Sequence, residues 1–191
     1  MWTDRARPIT RGARVDRSAI GEWTGPAHPG LISSERGRTA SLSTVDALDI
    51  AAAAAAVGAG LVAGLFFTFS VVVMPALAPL PAEVGVATMR SVNRVIINPL
   101  FLVLFLGTGV LGVLAALAGP WPRVLGAALY LVGAFVVTGV RNVPWNTELD
   151  GLTPGTAEAA EYWPGYLRRW TAWNHVRTVA STGAAVAFVV G

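Results

Sequence analysis

Apolar residues in this chain come in unbroken blocks, not in the alternation of a strand or the one-sided stripe of a surface helix. No charge occurs from Ile50 to Ala82, a block filled by AAAAAAVGAGLVAGLFFTFSVVVMPAL. A second uncharged block runs from Val95 to Pro122, and a third, VLGAALYLVGAFVVTGV, lies between Arg123 and Arg141. The last block, Thr178 to Gly191, is short and reaches crossing length only if its helix begins near Trp170. A crossing helix needs about 20 residues, so the pattern predicts an all-α, integral membrane four-helix bundle. Short interfacial helices are expected over 82–96 and 156–163, in the two longer loops on one side (81–97 and 141–169). Gly60 and Gly64 form a GxxxG, readable as a dimerisation face or as packing within the bundle, the latter preferred.

Residues 1–47 are polar, with Arg, Gly, Ser, Thr and Pro throughout, and read as a disordered tail. The expected membrane domain is 48–191. The tail is either dispensable or an over-extended start, with Val45 as the alternative. It has no apolar segment of the kind a secretory signal needs.

Charge sharpens the division. Residues 1–49 hold seven Arg and six acids, whereas residues 50–191 hold seven Arg and five acids. Twelve charges could hardly cover the surface of a soluble globule of that size, so the lipid bilayer is the expected partner. Counting arginines over short loops favours the loop end as the cytoplasmic side of a multi-pass protein of the cell membrane. A net charge of +3 spread along the chain is no nucleic-acid footprint. All basic residues are Arg, which excludes lysine Schiff-base chemistry, and the lack of Cys excludes thiolate and iron–sulfur chemistry. Two histidines, His28 and His175, cannot build a multi-His metal site. No metal and no cofactor are expected.

The remaining polar residues gather in three places at the loop end. In AEVGVATMRSVNRVIINPL, Val86, Met89, Ile96 and Ile97 share a helical face with Asn93 in its middle, flanked by Arg90 and Arg94. A buried Asn needs partners, either structural or substrate. Asn98-Pro99 reads as an N-cap followed by Pro at the first helical position. At the end of the third block, Tyr130, Ala134, Thr138 and Arg141 form one stripe leading into RNVPWNTEL, where Pro144 is expected to end the helix. Asn142, Asn146 and Trp145 make that segment dense for a plain connector. In YWPGYLRRWTAWNHVRTVAS, Trp170, Trp173, Asn174, Arg177 and Ser181 share one face, and His175 is turned away from it. Interfacial belts and snorkelling explain Trp163, Tyr166, Arg168 and Arg169. They do not explain Asn174 and Arg177, and an intramembrane ionisable residue is a functional candidate by default.

GLFFTFSVVVMPAL, MRSVNRVIINPLF, RNVPWNTEL and WTAWNHVRT together resemble the anthrone oxygenase family of small four-span membrane proteins. The pairing of Asn142-Val143-Pro144-Trp145-Asn146 with Trp170 to Thr178 carries most of the likeness, which extends over residues 48–190. The resemblance implies oxidation of an anthrone or related aromatic polyketide to a quinone with molecular oxygen. A hydrophobic aromatic small molecule would be the ligand. That chemistry asks for a base, anion holders and flat walls. His175 is the expected base, with Arg177 and Arg141 as anion holders. Asn93, Asn142, Asn146, Trp170, Trp173 and Asn174 are expected to bind substrate. The alternative is a non-catalytic membrane module for a lipid, a quinone or a partner protein.

Overall fold

The computed structural model describes residues 29–191, with side chains from Asp46 onward. Of the tail expected to be disordered, 1–28 lies outside the described residues, whereas 29–47 is the first part of a helix. All packing considered below lies within residues 41–191, which form one unit.

Helix α1 (Pro29–Thr68) passes through a π-helical segment, Phe69–Val73, into the single turn α2 (Met74–Leu77). After a short turn come α3 (Ala82–Val95) and α4 (Pro99–Ala116). A third rod starts as α5 (Trp121–Ala128), continues through π segments Leu129–Val136 and Thr138–Asn142, and ends as α6 (Val143–Gly151). Helix α7 (Ala157–Val190) completes the chain. Among the described residues there is no strand, so the chain is an all-α membrane helical bundle. Three stretches are long and apolar enough to cross a membrane: Asp46–Leu77, Pro99–Ala116 and Trp121–Gly151. Their outer faces carry Val57, Leu61, Phe67, Val103, Val110 and Val132, all exposed, which suits lipid rather than water.

Local chemistry sets several boundaries. The Asn98 carboxamide oxygen accepts from the Phe101 amide at 3.0 Å, the N-cap that the sequence indicated. Glu83 in the first turn of α3 and Arg94 in its last complement the helix dipole. The turn before α7 needs a left-handed residue, and Gly155 (φ +87°) supplies it.

Two expectations about helix ends are corrected. Pro144 does not end its helix, since Val143 keeps α geometry (φ −62°, ψ −47°) and α6 follows directly. A proline ring collides with the carbonyl four residues back, and a π turn just before the ring moves that carbonyl. Pro75 sits in the same relation to the first π segment. The short helix expected over 156–163 is not separate either: it is the start of the 34-residue α7, with Pro164 inside it. Here packing outweighs local preference, because Trp163 is buried and stacks on Tyr166 at 5.6 Å.

Helix α7 packs against α3, α5, α6 and all three π segments. The close approaches use glycines other than the GxxxG pair. A side-chain carbon at Gly58 would collide with Thr108, and one at Gly133 with Ala180. Gly60 and Gly64 have open space around them, so the expectation that they pack within the bundle does not hold. Gly58 and Gly60 are two residues apart on α1, about 200°, and so lie on opposite faces.

Candidate functional site

A cavity of about 280 Å³ opens where α1, α3, α4, the third rod and α7 meet. Small-molecule sites run from roughly 300 Å³ upward, so this one suits a compact ligand. Its walls are Phe66, Phe69, Val92, Ile96, Phe101, Phe105 and Trp170. Against them stand five polar side chains, Asn93, Thr138, Asn142, Asn146 and Arg177, of which Arg177 alone is ionisable.

Arg177 is 5% exposed. Its Nη2 donates to Asn174 Oδ1 at 2.6 Å and its Nη1 to Thr138 Oγ1 at 3.2 Å. Asn174 is held in turn, its Nδ2 donating to the Phe66 carbonyl (2.6 Å) and to Ser70 Oγ (2.7 Å). Phe66 lies in the last turn of α1, just before the π segment that begins at Phe69. The guanidinium also lies over the rings of Phe66 (4.2 Å) and Trp170 (5.1 Å). A desolvated cation–π contact is worth about 2 kcal/mol. Among the described residues no carboxylate pairs with Arg177, and its Nε has no partner. A buried positive charge with a free donor, in an apolar aromatic cavity, has the chemistry to receive an anionic oxygen.

Two of the asparagines, Asn142 and Asn146, are oriented by Trp170, whose carbonyl can only accept and whose Nε1 can only donate. Asn142 Nδ2 donates to the Trp170 carbonyl at 3.3 Å, leaving Oδ1 unpartnered in a residue 1% exposed. Asn146 Oδ1 accepts from both Trp170 Nε1 (2.9 Å) and Tyr166 (3.0 Å). Asn93 Nδ2 is buried without a partner. Outside the cavity, Tyr162 donates to Glu148 Oε2 at 2.7 Å, and Arg169 covers Trp145 and Tyr162. Burial, with the Glu148 carboxylate beside it, holds the Tyr162 phenol above its ordinary value. Arg90 and Arg94 both reach Asp150 Oδ1 (3.2 and 2.8 Å), tying α3 to α6.

Of the residues expected at a site, Asn93, Asn142, Asn146, Trp170 and Arg177 line the cavity, and Asn174 holds Arg177 from behind. Three others lie elsewhere. His175 is exposed and faces away, between two shallow surface grooves, because one residue along α7 is a turn of about 100°. Arg141 is exposed and stacks on Trp173 at 4.7 Å, a pair separate from the cavity. The stripe Tyr130–Ala134–Thr138 runs on to Asn142 and not to Arg141, since the π turns hold more residues than the 3.6 of an α turn. The sequence did not single out Phe66 or Ser70, and it placed Thr138 on a stripe without giving it a role. A lone Ser four residues after Phe66, inside an apolar run, was the available signal.

The sequence profile of the family described as Anthrone oxygenase matches residues 86–187, just over half of the chain. No curated protein and no solved structure matches it. The matched segment supplies Asn93, Thr138, Asn142, Asn146, Trp170 and Arg177, and the polar half of the cavity falls inside it. The chain belongs to the anthrone oxygenase family.

Proposed function

We propose that this protein is a four-span, multi-pass membrane oxygenase that converts an anthrone-type aromatic to its quinone with O2, without a cofactor. The observation that carries the reading is Arg177: buried, free of any described carboxylate, and with an unpartnered Nε on an aromatic-walled cavity. The fourth span is the C-terminal part of α7 from about Trp170; its upstream polar residues keep α7 from being uniformly apolar.

The chemistry balances with these parts. An anthrone carries a CH2 opposite its carbonyl, and loss of one proton gives an enolate whose oxygen bears the charge. A cation within about 4–6 Å favours such an anion by 1–3 pKa units. The enolate passes one electron to O2, and the two radicals combine at the former CH2 carbon as a peroxide anion, which takes back a proton from water to give the hydroperoxide. Loss of water leaves the second carbonyl. One anthrone and one O2 yield one quinone and one water, and no external reductant enters. Arg177 holds the oxygen on which charge develops, and the aromatic walls hold the flat rings.

His175, expected as base, lies outside the cavity, so the proton passes to water under the field of Arg177. The same placement favours a second reading, a quinone-binding module with no turnover. Oxygen uptake by the purified full chain in lipid nanodiscs, with a panel of anthrones, decides between them. The oxygenase reading expects one quinone formed per O2 consumed, above the rate without protein. Quinone binding with no uptake on any anthrone leaves the module.

A further inference from the structure

We infer that Asn142 is a specificity-determining residue: its side-chain oxygen accepts the hydrogen of a free hydroxyl on the aromatic ligand, selecting hydroxylated rings over their methyl ethers. The inference rests on the aromatic-ligand reading of the cavity. The Asn142 amide orientation is not open to choice, because Nδ2 faces the Trp170 carbonyl, which can only accept. The oxygen is left without a donor, and the residue is 1% exposed on the cavity wall. Arg177 and Asn93, which also line the cavity, carry unpartnered donors of their own, Nε and Nδ2. Asn146 offers no competing acceptor, because its oxygen already takes two hydrogens. Thr138 Oγ1 accepts from Arg177 and donates to the Ala134 carbonyl. Asn142 Oδ1 is thus the fully buried acceptor left without a donor and suited to a ligand hydrogen, whereas the donors suit its carbonyl or anionic oxygen. A buried acceptor left unmatched costs about 1–3 kcal/mol, and a site built to bond a hydroxyl rejects the analogue that lacks it.

The test is binding of 2-hydroxyanthraquinone and 2-methoxyanthraquinone to the full chain in nanodiscs, followed by ligand absorbance. The hydroxyl at this position is too far from the ring carbonyls to bond them internally. The parent is expected to bind the hydroxyl form about 10- to 100-fold more tightly. In Asn142→Leu that ratio collapses to near one, through loss of hydroxyl-ring affinity with methoxy affinity kept. Should the leucine variant fail to insert, Asn142→Ala gives the same reading without added bulk. Equal binding of both rings by the parent overturns the assignment alone, as does a folded variant that keeps the parent's preference. Binding of neither ring by the parent overturns the aromatic-ligand reading, and the assignment with it.

Discussion

Around Ala59, Tyr130 and Ala184 the helices meet through small residues: Ala55, Ala56, Ala127 and Ala134 are buried there, and Gly58 and Gly133 admit neighbouring side chains. Around Trp163, Tyr166 and Trp170 they meet through aromatic rings, methionines and leucines. The cavity straddles the boundary, taking Phe66 and Phe105 from the first region and Trp170 from the second. Small residues bring backbones close where lipid offers no hydrophobic push, and bulky ones hold them apart. The change of packing material along the bundle leaves the space that a ligand would fill. Two of the π segments reach it: Phe69–Val73 through Phe69, and Thr138–Asn142 through Thr138 and Asn142.

The sharpest way to break this contrast is to remove the charge at the boundary. Arg177→Gln keeps a hydrogen-bonding side chain but no cation. It is expected to lower the oxidation rate by about 10²–10³, as loss of one oxyanion-stabilising donor does. Oxygen uptake measures the loss, and size-exclusion profiles report whether the bundle is intact. A kcat drop at unchanged KM would mean that the charge acts on the developing anion and not on ring binding. A full rate in a folded Arg177→Gln protein removes the site.

The small-residue region is tested by two neighbouring glycines. Gly58→Ala drives a methyl into Thr108 and is expected to cost about 1–3 kcal/mol, the usual penalty of overpacking. Gly60→Ala meets open space and is expected to be neutral, or stabilising by up to about 1 kcal/mol from helix propensity. Thermal unfolding in detergent gives both values. Equal effects would mean that α1 presents a different face to α4. At the other end of α4, Asn98→Ala removes the cap on Phe101 and is expected to cost about 1 kcal/mol, read in the same unfolding experiment.

What the sequence revealed follows from these regions. The uncharged blocks made the three long apolar rods readable, since a lipid-facing helix must be apolar on its outside. Asn98-Pro99 announced its own cap, and the Trp170–Asn174–Arg177–Ser181 face came directly from helical spacing. The third rod resisted, because an α period was laid over a segment that is mostly π. Arg141 therefore came out on the cavity face in place of its neighbour Asn142. The joining of 156–163 to α7 was hidden as well. A proline argued locally against it, and only tertiary burial of Trp163 overrides that argument. Phe66 and Ser70 were missed because their role is to receive Asn174 from a helix over a hundred residues away in sequence.

The smallest expected effect sharpens the contrast most, because it separates two residues that the sequence set side by side. His175 and Arg177 are two apart on α7, yet one is exposed between surface grooves and the other is buried on the cavity. A histidine has the right intrinsic pKa for a base, but a base must come within hydrogen-bond reach of the proton it takes, directly or through one water. His175 faces the outside of the bundle, so His175→Ala removes neither a wall of the cavity nor a partner of Arg177. The change in rate is expected to stay under about twofold, and the change in stability within about 0.5 kcal/mol, as for surface positions generally. A pH–rate profile completes the test: with His175 uninvolved, the parent and His175→Ala should show the same profile. A hundredfold loss in His175→Ala, in a protein that folds normally, would mean that α7 turns its other face to the substrate. The aromatic cavity would then not be where the chemistry occurs.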